Sequence, residues 1–154
     1  GIKMNVKVIN ENNDYAGDVH PTEAWNYLMS EKSSQLIDVR TKAELNFVGM
    51  PDLSTANKYV HNVEWQHYPS MELNHNFDLE LENILKEIDF NSDDTLFFIC
   101  RSGARSSNAA KLMTGAGWDN SYNISYGFEG DPDPSHKRGQ LNGWKYEGLP
   151  WIQQ

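Results

Sequence analysis

The stretch Thr95-Leu96-Phe97-Phe98-Ile99-Cys100-Arg101-Ser102-Gly103-Ala104-Arg105-Ser106 decides the fold, because a strand pattern, a loop pattern and a helix start follow one another in it. Thr95 to Ile99 is rich in aromatic and branched residues, the composition of a central buried strand. Asn91-Ser92-Asp93-Asp94 ahead of it is a turn. Beyond the small residues Ser102, Gly103 and Ala104, the segment from Arg105 to Thr114 sets Ala109, Ala110 and Met113 on one helical face. Gly115 and Gly117 then supply its stop. Strand, tight loop and helix follow in order, with Cys100 where the strand emerges.

Working outward, the same alternation recurs. Tyr15 to Leu28 starts with a turn-like Gly17-Asp18. Pro21 and Glu23 then stand where a helix begins, and Ala24, Trp25, Leu28 and Met29 form an apolar stripe. Gln35 to Arg40 is a short apolar run ending in charge, which puts Asp38 and Arg40 at the carboxyl end of a parallel strand. Lys42 to Phe47 reads as a helical turn, and Gly49-Met50-Pro51-Asp52 with Ser54 to Lys58 as a long loop. Tyr59 to Tyr68 is a weaker strand signal. Phe77, Leu81, Ile84, Leu85 and Ile88 recur at helical spacing, and Tyr122-Asn123-Ile124-Ser125 is a final short strand before Gly127-Phe128-Glu129-Gly130. Alternating strands and helices imply an α/β fold with a parallel sheet covered on both faces and ligands at the carboxyl ends of its strands.

A chain of 154 residues has the usual size of one domain, here with a core over about residues 15–151. Gly1-Ile2 ahead of Lys3-Met4 reads as a cloning remnant. Thirteen basic against 22 acidic residues give a net charge of -9, a field that repels nucleic acid and anionic membranes. Arg101 and Arg105 therefore stand out, since they concentrate positive charge in one loop of an acidic protein. With no apolar run near the roughly 18 residues of a membrane span and no signal segment, the expected location is the cytoplasm. A lone cysteine excludes an internal disulfide and a multi-cysteine zinc site, and the five histidines form no ligand pattern, so no metal is expected.

A loop from strand to helix turns several unpaired N–H groups inward, and the helix dipole adds positive charge there. Cys100 at the base of such a cradle, with Arg101 and Arg105 beside it, favours the nucleophilic thiolate over a merely packed thiol. Gly103 permits the tight turn, while Ser102 and Ala104 leave room above the sulfur. Arg105 could instead start the helix and pair with a strand-end acid such as Asp38. Asp38 and Arg40 are expected to brace the loop by ion pairs, with Glu44 as a weaker member of that network. Trp144 and Trp151 are expected to pack the tail rather than line a pocket.

Cys100-Arg101-Ser102-Gly103-Ala104-Arg105-Ser106 after a hydrophobic strand resembles the active-site loop of rhodanese-like sulfurtransferases. Ile37-Asp38-Val39-Arg40, Gly127-Phe128-Glu129-Gly130, Asn142-Gly143-Trp144-Lys145 and Gly148-Leu149-Pro150-Trp151 also look like bacterial single-domain members. The resemblance implies a parallel five-stranded sheet flanked by helices and a Cys100 persulfide formed by double displacement. The donor would be a small anion such as thiosulfate and the acceptor a thiol or cyanide, with no metal or organic cofactor. Backbone amides from Arg101 to Ser106 would hold the outer sulfur, and Arg101 or Arg105 would attract the donor. Phe47-Val48-Gly49-Met50-Pro51-Asp52 departs from the family's usual Gly-His-Ile-Pro-Gly-Ala-like segment and alters one wall of the pocket. The related phosphatases place five residues between cysteine and arginine, whereas Arg101 to Ala104 makes four here. A sulfur-carrier or interaction module remains the other reading of an intact loop.

Overall fold

The computed structural model describes residues 5–153, so Gly1-Ile2-Lys3-Met4 lies outside the described residues. In chain order the elements are β1 (Gly17–Val19), α1 (Pro21–Ser30), β2 (Gln35–Asp38), α2 (Lys42–Val48), β3 (Met50–Pro51), a 3-10 turn (Ser54–Ala56) and β4 (His61–Asn62). They continue with β5 (Gln66–His67), β6 (Glu72–Leu73), α3 (Phe77–Glu87), β7 (Leu96–Ile99), α4 (Ala104–Gly115), β8 (Ser121–Ile124) and β9 (Trp151–Ile152). The main sheet has five parallel strands in the order β1-β8-β7-β2-β4. The aromatic run therefore forms the middle strand.

Residues of β7 alternate between two cores. Leu96, Phe98 and Cys100 face one side, where Phe77, Leu81 and Leu85 of α3 and Ala109, Ala110 and Met113 of α4 cover the sheet. Phe97 and Ile99 face the other, where Ala24, Tyr27 and Leu28 of α1 pack with Trp144. Both faces of the strand are dry, which is why its sequence is a continuous apolar run. Each fully buried large apolar side chain here contributes about 1.5–3 kcal/mol. The result is three layers, with the carboxyl ends of β1, β8, β7 and β2 opening on one edge. Among the described residues no helix is long and apolar enough to cross a membrane.

Three sequence expectations change. Gly17-Asp18 is not a turn but the start of edge strand β1, paired with Tyr122 and Asn123 of β8; three residues are too short for a period to be read. Met50–Pro51 is not loop but a strand paired antiparallel with Trp151–Ile152, a partner about a hundred residues away that local pattern cannot reveal. The Tyr59 to Tyr68 signal splits into β4, on the main sheet, and β5, which pairs with β6 outside it.

The helix starts explain what is left for chemistry. Helix α1 has Pro21 in its first turn and a His20 ring accepting from the Thr22 amide at 3.1 Å. Helix α2 closes its N-terminus with a reciprocal capping box between Thr41 and Glu44. Helix α4 has Gly103 at its N-cap and no side-chain cap. Its first amides are thus available to something else.

Candidate active site

Cys100 fills that vacancy. Its Sγ accepts from the Gly103 amide at 3.1 Å and from the Ser106 amide at 3.4 Å, and lies 3.1 Å from Ser106 Oγ. The positive φ of 118° at Gly103 turns the loop so that its amide faces back to the sulfur, a conformation side chains rarely adopt. Cys100 itself is buried at the end of β7. The cradle expected from the strand-loop-helix pattern is therefore built from Gly103 and Ser106. Ser102 and Ala104 line the space above it.

The loop is propped from the turn after β8. Phe128 N donates to Cys100 O at 2.8 Å and Glu129 N to Arg101 O at 3.0 Å. Gly127 makes that approach, with φ of 63° and a position where a Cβ would lie 2.6 Å from the Arg101 carbonyl carbon. Below it, Arg40 and Asp38 form a fully buried pair, with Nη2 to Oδ2 at 2.7 Å and the guanidinium 4.3 Å from the Phe128 ring centre. Arg40 Nη2 also donates to Gly49 O at 2.9 Å. These two residues brace Phe128 and the chain at Gly49, and so hold the loop through its neighbours rather than by contact.

Arg105 does not pair with Asp38. Its guanidinium grips Glu44 of α2 through Nη1 to Oε1 at 2.7 Å and Nη2 to Oε2 at 2.9 Å. Burial works against the Glu44 carboxylate, but Arg105 and the Thr41 amide outweigh it and hold the group down to about 2. Glu44 is thus ionised across the neutral range and neutralises Arg105. Arg101 is exposed and makes no ion pair among the described residues, so it lines the cavity with its charge unpaired.

Above Cys100 opens a cavity of about 700 Å³. Phe47 and Val48 of α2 form one wall, Tyr68 and Met71 another, and Arg138 and Glu129 stand at its rim with Arg101. Of the segment that departs from the family pattern, Phe47 and Val48 line the cavity, while Met50, Pro51 and Asp52 lie away from it. Sequence reading missed Tyr68, Met71 and Arg138, which reach the site from loops with no local signal. It also missed Asn123, whose amide oxygen accepts from Ser106 Oγ at 2.6 Å. Trp144 is buried with its indole donating to Pro150 O at 2.8 Å, and Trp151 packs edge-on against Phe128, so neither lines the cavity. Among the described residues, no group of three or more His, Cys, Asp or Glu is arranged to hold a metal.

The layered sheet and its cysteine loop at the strand ends define a rhodanese-like fold. A rhodanese-related protein from Thermoplasma volcanium shares it at a TM-score of 0.51 and 19% identity, over 89% of this chain and 98% of that one. The polysulfide-sulfur transferase homodimer of Wolinella succinogenes does so at 0.56 and 22%, over 92% and 80%. The chain belongs to the STR4 middle domain family, whose model matches residues 17–154. It is similar to Rv0390 of M. tuberculosis, with 42% identity and a TM-score of 0.81 over 91% of this chain and 99% of that one. It is also 40% identical over 130 residues to RP600 of Rickettsia prowazekii, described as uncharacterized, covering 84% of this chain and 92% of the relative.

Proposed function

We propose that this protein is a sulfurtransferase that moves a sulfane sulfur from a thiosulfate-like anion to a thiol or cyanide through a persulfide on Cys100. The observation that carries the reading is the convergence of the Gly103 and Ser106 amides on Sγ at the floor of an open cavity. Arg101 supplies a cation at the mouth that no carboxylate neutralises among the described residues. In the first half-reaction the Cys100 thiolate attacks the outer sulfur of thiosulfate. The sulfur–sulfur bond of the donor breaks, and sulfite leaves with its electron pair. Inward-facing amides suit the terminal persulfide anion that results. In the second half-reaction the acceptor attacks that terminal sulfur and the Cys100 thiolate is restored.

A cavity of about 700 Å³ is of the size that holds drug-sized ligands and far exceeds a thiosulfate ion. Its apolar walls favour, as a second reading, a sulfur carrier that discharges to a thiol on a larger molecule. Four residues between Cys100 and Arg105 and the engagement of Arg105 by Glu44 disfavour phosphate-ester chemistry, which needs a guanidinium free to clamp a phosphate. Incubation with thiosulfate is expected to add one sulfur atom to the protein by intact mass, and Cys100→Ala to abolish the addition. Persulfide on that variant would remove Cys100 from the role.

A further inference from the structure

The polar contacts of the loop continue away from the cavity, and their direction is set by groups that can only accept or only donate. Asp18 and Asn123 are register partners in the β1–β8 pair, so their side chains leave the sheet on one face. Asp18 Oδ1 accepts from the Tyr15 hydroxyl at 2.8 Å and from Asn123 Nδ2 at 2.9 Å. Burial and the Asp18 carboxylate raise the Tyr15 phenol to about 12, so it remains a donor. A carboxylate has no proton to give, which orients the Asn123 amide with nitrogen to Asp18 and oxygen to Ser106.

Asn123 Oδ1 lies 2.6 Å from Ser106 Oγ and can only accept, so it claims the hydroxyl proton. The other claimant outside the sulfur, the Gly103 carbonyl at 3.2 Å, also draws that proton away. Ser106 Oγ therefore turns a lone pair towards Sγ. We propose that Tyr15, Asp18 and Asn123 form a positioning relay that turns Ser106 Oγ towards Cys100 Sγ as an acceptor rather than as a donor. The proposal deepens the sulfurtransfer reading and rests on it for its purpose: the way Ser106 is turned sets how readily the sulfur becomes the nucleophile of that reaction.

Other charges act on the same sulfur. The two loop amides and Arg101 favour the thiolate, while Arg105 does so against the neutralising Glu44. At the cavity rim Arg138 and Glu129 oppose each other. The buried Asp38–Arg40 pair sums to zero beneath, and Asp18 behind Asn123 adds negative charge that disfavours the thiolate. Ser106 is the neutral group in this set, and its orientation is the one that Asn123 fixes.

Alkylation of Cys100, the sole cysteine, by iodoacetamide measured against pH reads the thiolate fraction without any sulfur donor. Ser106→Ala is expected to lower the pH midpoint of alkylation by about half a unit, the size of one neutral hydrogen bond. Asn123→Leu frees the hydroxyl proton for the sulfur and should lower the midpoint in the same direction. A Ser106→Ala midpoint that rises or stays in place overturns the proposal, and it alone decides if Asn123→Leu does not fold. Because no donor enters the assay, a lowered midpoint in a protein that forms no persulfide would sink the function and keep the relay.

Discussion

Arg101 and Arg105 flank the same sulfur with the same charge but differ in what they can offer an anion. Both donor-bearing ends of Arg105 are taken by Glu44, while Arg101 has no ionic partner among the described residues. Arg101→Ala is accordingly expected to raise KM for thiosulfate roughly tenfold, and to change that for an uncharged donor much less. Equal effects on the two donors would remove anion attraction from its role. The cysteine, its small neighbours and the two arginines were legible as a candidate site because they are consecutive in the chain. The Arg105 partner was not: a strand-end acid such as Asp38 is the obvious candidate by position. Arg40 satisfies Asp38 from two residues away. The Thr41–Glu44 capping box meanwhile aims Glu44 across the gap from α2.

At the scale of elements, the site depends on two turns that meet back to back. The loop between β7 and α4 points its amides at the sulfur, and the turn after β8 props it through the bonds to Cys100 and Arg101 carbonyls. Gly127→Ala forces a side chain into a left-handed conformation against that backbone. The expected outcome is a loss of more than about 2 kcal/mol in denaturant unfolding, with reduced persulfide formation. Wild-type stability in that variant would show that the close approach is not needed. Elements held by local periodicity, α3 and β7 above all, were readable from the sequence. Elements held by a distant partner were not: β1 depends on β8, and β3 on the C-terminal β9. Strands of two or three residues carry too few positions for an alternation to register.

Across the whole molecule, the net charge of -9 and the short cationic loop act together. The surface repels anions in general, and the opening above Cys100 presents Arg101 beside apolar walls, with Arg138 offset by Glu129 and Arg105 by Glu44. The parallel sheet brings that loop to an edge shared with the ends of β2, β8 and β1. The Asp38–Arg40 pair and the Asp18–Asn123 pair thereby come to the same edge as Cys100 although the two pairs lie far apart in the chain. The central claim is that this sulfur carries the reaction, and steady-state turnover tests it most directly. With thiosulfate and cyanide as substrates, the protein should form thiocyanate and sulfite, Cys100→Ala should form neither, and a generic phosphate ester should remain intact. Thiocyanate formation that survives Cys100→Ala, or cleavage of the phosphate ester in place of sulfur transfer, would contradict it.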